Sequence, residues 1–116
     1  MSRRTYLDYF HDIYEAAGLA LSFVAGVDLD TFAENREKLF AVTRALEIVG
    51  EAARQVPLEL QQRYPHLPWQ EMIGMRNVLV HAYFTVDVDA VWGVVARDLP
   101  ALAVGLERIL GNPAAQ

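Results

Sequence analysis

The sequence predicts an all-α fold: a helical bundle of four main helices with short extra helical turns, in one domain spanning residues 1–116. Two observations carry that prediction. Apolar residues recur every three or four positions along several long stretches, the spacing of a helix that buries one face. The few glycines and prolines fall where such stretches should stop. No segment shows convincing strand alternation; "VLVHAYFTVDV" is β-leaning, but its neighbours on both sides are helical.

The elements follow in chain order. Tyr6, Phe10, Ile13, Ala17, Leu21 and Val24 predict a first helix from about Arg4 to Ala25. "GVDLD" breaks it, and Asp30 is the expected cap of a short turn that holds Phe32. Leu39, Val42, Leu46, Val49, Ala53 and Val56 alternate steps of three and four, a seam suited to a core or dimer interface. They predict a long helix from about Asn35, its expected N-cap, to Val56, stopped by Pro57. A helical turn in "LELQQRY" and the loop "PHLP" come next. Pro68 suits the first position of a further helix, because its missing N–H has no partner to lose there. That helix carries Trp69, Met72 and Ile73 into "RNVLVHAYF" and is interrupted by "TVDVD". A last helix runs from Val88 to Leu110, with Asp87 as its cap and a kink at Pro100.

Composition narrows the function classes. The chain has 116 residues, 53% hydrophobic and 22% charged, the balance of a folded domain. That apolar share leaves surface for burial against a second subunit. There is no cysteine, so neither a disulfide framework nor a thiolate zinc site can form. No apolar run suits a signal peptide or a bilayer span, so the expected setting is cytoplasmic, with no membrane. Fifteen acidic against ten basic residues give a net charge of −5, and Lys38 is the only lysine. No basic block marks a broad nucleic-acid binder, so a nucleic-acid substrate would have to be held by a local pocket. No two histidines stand four apart and no Glu-x-x-His occurs, so neither a metal nor another cofactor is expected.

The chemistry concentrates in "RNVLVHAYF", where Arg76, Asn77, His81 and Tyr83 interrupt an apolar segment. At about 100° per residue, Asn77 and His81 share a helix face and Arg76 and Tyr83 lie nearly in line two turns apart. Arg76 and His81 diverge by roughly 140° on the same count. A nearby helix end, or a second copy across a two-fold axis, would reunite them. Histidine near its neutral-pH titration range serves as acid or base, and arginine offers a planar cationic fork to a phosphate gaining charge. These types suit metal-independent RNA cleavage, with Asn77 orienting the imidazole or binding phosphate. The bland alternative is equally concrete: a satisfied interface histidine, and an arginine paired with Glu47 or Glu51, four apart on the long helix. Tyr64, Trp69 and Phe84 suit base stacking but more often form core. His11 and His66 have no ligand constellation and are expected at the surface or in loops.

The motif resembles the arginine, polar residue, spacer, histidine, any residue, tyrosine signature of the HEPN superfamily. More narrowly, the chain is similar to HepT-like toxins. "RALEIVGEAA" (Arg44 to Ala53), "PWQEMIGMRN" (Pro68 to Asn77) and "VDVDAVW" (Val86 to Trp92) resemble that family's successive blocks, in order. The resemblance implies a homodimeric, metal-independent endoribonuclease with Arg76 and His81 as catalytic residues and Asn77 at the polar position. It also implies an MntA-like nucleotidyltransferase antitoxin that transfers AMP to Tyr83. Two other readings stand beside it: a non-catalytic helical module that binds nucleotide or docks a nucleotidyltransferase, and a structural dimer whose polar cluster specifies pairing.

Overall fold

In the computed structural model of the chain, which describes residues 5–80 and 87–111 (residues 76–80 by their helical backbone), the two longest helices each begin at a side-chain cap. Helix α1 (Tyr6–Val24) starts at Thr5, whose backbone N–H donates to Asp8 Oδ2 at 2.7 Å while its own hydroxyl accepts from the Asp8 N–H. This reciprocal capping box satisfies donors left over in the first turn, and it sets the start two residues later than the periodicity implies. After Val24 the chain turns through Gly26, whose φ of 73° lies in the left-handed region open to glycine.

Helix α2 (Leu29–Glu34) corrects one expectation. Its cap is Asp28, which accepts from the Thr31 N–H at 2.8 Å, and not Asp30. The capping position needs extended backbone, which Asp28 has, whereas Asp30 already lies in the first turn and can only favour it electrostatically. Phe32 on this turn is fully buried, its ring 5.3 Å from that of Trp92.

Helix α3 (Arg36–Gln55) is capped by Asn35, as expected, through a 2.9 Å bond from the Lys38 N–H. The single lysine then reaches back, Nζ to the Phe23 carbonyl at 2.9 Å, and supplies a donor to the last turn of α1. Pro57 follows, α4 (Leu58–Arg63) forms in the stretch expected to turn, and Gln61 Nε2 ties it to the Val56 carbonyl at 3.0 Å. Helix α5 (Trp69–Val80) begins one residue after Pro68. The Pro68 carbonyl accepts from the Met72 N–H, so the proline is the flanking residue rather than the first helical one.

Asp87 caps α6 (Val88–Gly93) as expected, accepting from the Ala90 N–H at 3.1 Å. The predicted kink takes an unanticipated form. Residues Val94–Asp98 make a π turn, in which the Leu99 N–H bonds the Val94 carbonyl five residues back, before α7 (Leu99–Leu110) resumes. Pro100 has no N–H to offer and its ring crowds the carbonyl four residues earlier. Widening the preceding turn accommodates both defects upstream of the proline.

Helix α3 is the hub, packed against α1, α2, α5 and α6, with α7 closing on α1. Its predicted seam is the core of the monomer: Val42, Leu46, Val49, Ala53 and Val56 are buried. They meet Phe10 and Ile13 of α1, Met72 of α5, and Leu99, Leu102 and Leu106 of α7, all fully or nearly fully buried. Among the described residues no charged side chain is buried and no strand occurs. The all-α prediction is therefore met, and apolar burial holds the bundle together.

Two outcomes follow for stability. Leu46→Ala removes the middle of the seam and is expected to cost about 2–5 kcal/mol, read by urea unfolding. Asp28 is the second probe: the Thr31 backbone N–H, and then the Thr31 hydroxyl, hold its carboxyl below the ordinary carboxylate value. A depressed folded value gives stability that is present above the unfolded value and lost as pH falls through the folded one. Thermal unfolding followed below about pH 4 should show this loss in the wild type. Asp28→Asn, which keeps an accepting cap oxygen, should lack that part of the pH dependence.

Candidate active site

Helix α5 can carry the motif because its buried positions fix which way it is turned. Trp69, Met72 and Met75 are buried, Gln70 and Glu71 are exposed, and Ile73 and Gly74 lie between. The Trp69 indole is anchored twice: Nε1 donates to the Tyr64 carbonyl at 2.9 Å, and its ring lies 5.9 Å from that of Phe10. Tyr64 meets the same Phe10 edge-on at 5.4 Å. Trp69 is thus a core residue, and half-buried Tyr64 packs beside it.

With that rotation set, the backbone positions of the motif follow. Arg76 comes four residues after Met72 and seven after Trp69, in line with the buried face. Asn77 comes seven after exposed Gln70 and four after half-buried Ile73, on the flank of the helix. Val78, Leu79 and Val80 are helical, so this part of the β-leaning stretch is helix. His81, Tyr83 and Phe84 lie outside the described residues. So does the first part of "TVDVD", although its Asp87 caps α6 as expected.

Glu47 and Glu51, the expected carboxylate partners of Arg76, stand four apart on α3, the helix against which α5 packs. Glu47 Oε2 accepts from Arg44 Nη1 at 3.1 Å, with the two side chains 38% and 69% exposed. So open a pair contributes about 0–1 kcal/mol at most. Glu51 is exposed and lines a shallow groove of about 210 Å³ between α1 and α3, beside Tyr9, Asp12 and Ile48. Among the described residues, no three His, Cys, Asp or Glu side chains stand close enough together to share a metal ion. None of the described helices is long and apolar enough to cross a membrane.

A second concavity was not anticipated. A cleft of about 430 Å³ opens between the loop before α5 and the face of α7, with Arg97, Asp98 and Arg108 on one wall and His66, Leu67 and Glu71 on the other. His11 and His66 are both exposed, as expected, but His66 stands on this cleft. A trace of the α7 wall was present in the sequence: Arg97, Ala101, Gly105 and Arg108 follow one another by four, four and three positions. Only the tertiary fold brings the "PHLP" loop opposite them.

A family model described as "Ribonuclease HepT-like" matches residues 13–109. The chain is 40% identical over 107 residues to a Thermococcus cleftensis protein named "Probable ribonuclease HepT", covering 92% of this chain and 97% of that protein. It is 37% identical over 107 residues to a Methanocaldococcus jannaschii protein named "Putative RNase MJ1380", covering 92% of this chain and 98% of that one. No solved structure matches the chain significantly.

Proposed function

The chain belongs to the HepT-like ribonuclease family, and from that premise we propose that it is a metal-independent endoribonuclease toxin acting as a homodimer. The observation that carries the reading is the family match over residues 13–109, which encloses the whole of "RNVLVHAYF" and the blocks on either side. The helical backbone of Arg76 and Asn77 in the later turns of α5, the helix anchored in the core by Trp69, Met72 and Met75, supports it.

The proposed chemistry is transesterification within the RNA strand. The ribose 2′-hydroxyl gives up its proton, and the 2′-oxygen bonds to the adjacent phosphorus. The bond from phosphorus to the 5′-oxygen breaks, and that oxygen takes up a proton. His81 moves these protons, a task suited to a group that titrates near neutral pH. Arg76 stabilises the charge that builds on the non-bridging phosphate oxygens. Asn77 orients the imidazole or holds a phosphate oxygen. The one histidine of the motif cannot be both acid and base at once, and a two-fold dimer supplies the pair. Glu47 and Glu51 support Arg76 electrostatically from α3.

Neutralisation is proposed to come from an MntA-like nucleotidyltransferase partner that attaches AMP to Tyr83. On a regular helix Tyr83 lies two turns beyond Arg76 and nearly in line with it. A nucleotide on Tyr83 would place anionic phosphate beside the guanidinium and bulk over the site.

With chelator present, the purified wild type is expected to cleave RNA, and Arg76→Ala and His81→Ala are each expected to lose about 100-fold or more in rate. A dimer mixed from the two variants keeps one His81 and one Arg76, on opposite chains, so it should stay inactive if cleavage needs the histidine pair. Recovered cleavage would show that one histidine with the opposite chain's arginine suffices. Tyr83→Phe should remain toxic to growth in the presence of the nucleotidyltransferase. Relief of toxicity as complete as for the wild type would remove Tyr83 from the mechanism.

A further inference from the structure

The cleft between the loop before α5 and α7 combines four features. Its floor is apolar, with Leu67 and Leu102 both buried. Arg97 of the π turn and Arg108 of α7, both exposed, stand on one wall eleven residues apart, about 16 Å along the helical axis. Glu71 and Asp98 offer carboxylates, and exposed His66 offers a ring, 6.4 Å from that of Tyr64. Among the described residues these four charges form no ion pair with one another.

Two glycines build the walls. A Cβ on Gly105 would stand 2.9 Å from Leu67 Cδ2, so its absence lets the loop seat directly on the α7 backbone. A Cβ on Gly93 would stand 2.7 Å from Arg97 Nη2. Its absence lets the arginine fold back, with Nε donating to the Gly93 carbonyl at 3.4 Å. Arg97 itself belongs to the π turn Val94–Asp98.

We infer that this cleft binds a short run of single-stranded RNA flanking the cleaved bond, an inference that rests on the ribonuclease reading. Guanidinium forks take phosphates, the apolar floor and the His66 ring take bases, and carboxylates accept from ribose 2′-hydroxyls, the groups by which RNA is told from DNA. A chain with net charge −5 needs such local contacts, because its overall field repels the strand. Glu71 on its wall belongs to α5, the helix that carries the motif.

The test uses a fluorescent single-stranded RNA and the DNA of the same sequence, read by anisotropy on the His81→Ala dimer so that nothing is cut. Adding Arg97→Glu and Arg108→Glu together should weaken RNA binding about tenfold or more. The log–log salt dependence should become shallower by about 0.7 for each arginine. Glu71→Gln with Asp98→Asn should bring RNA and DNA affinities closer together. In the otherwise wild-type enzyme the arginine changes should raise KM on long RNA and leave cleavage of a dinucleotide unchanged. Circular dichroism checks that these exposed substitutions keep the fold. Unchanged RNA affinity and salt slope would overturn the inference. So would variants that bind RNA normally but lose the nucleotidyltransferase, which would make the cleft a protein-docking site. A wild type that binds RNA through these arginines yet never cuts it would overturn the catalytic reading and support the cleft.

Discussion

The burial of one face of α5 is the constraint on which the site depends. Trp69, Met72 and Met75 turn that helix so that its apolar side meets the core, and Trp69 is fixed further by the Tyr64 carbonyl and the Phe10 ring. A helix is stiff, so rotation set in its first two turns is transmitted to Arg76 and Asn77 in its last. The direction of the helical backbone at Arg76 and Asn77 comes from hydrophobic contacts several residues upstream, so mutations there would act on the proposed chemistry from a distance.

The bundle keeps its charges out of the core. No charged side chain is buried among the described residues, and the Arg44–Glu47 bridge is open to solvent. Stability therefore rests on the α3 seam and its neighbours, while charge remains free for recognition. Lys38 fits the same division: its ammonium serves the carbonyl end of α1 rather than a carboxylate. Helix termini are where this protein uses polar groups structurally, at Thr5, Asp28, Asn35 and Asp87.

Most of the fold could be read from the sequence because its signals are local. The Leu39–Val56 seam, the Asn35 and Asp87 caps and the stop at Pro57 each depend on neighbours within one or two turns. The misses are local choices between near-equivalents or products of tertiary contact. Asp28 and Asp30 are both suitable caps, and backbone conformation chose between them. Pro100 announced a defect but not that the turn before it would widen. At the site, the phase of Arg76 and Asn77 was legible, yet which face was buried needed the positions of Trp69, Met72 and Met75 in three dimensions. The cleft was hardest to foresee, because the loop holding His66 and the wall holding Arg97 and Arg108 are about thirty to forty residues apart in the chain and meet only through packing at Gly105.

The π turn between α6 and α7 has a consequence for how the sequence can vary. A turn that bonds five residues back holds one residue more than its α-helical counterpart, so the helix on one side is rotated by roughly 100° relative to uninterrupted counting. Phe32 meets Trp92 on one side of that turn, and Leu99, Leu102 and Leu106 are buried on the other. The turn absorbs the extra residue, so both apolar sets still face inward. Loss of a single residue within Val94–Asp98 would let the turn return to α-helical bonding and leave both sets facing the core. This segment is thus the place in the last helix where chain length can change by one residue, and an alignment gap there would mark a chain whose last helix runs without the wide turn.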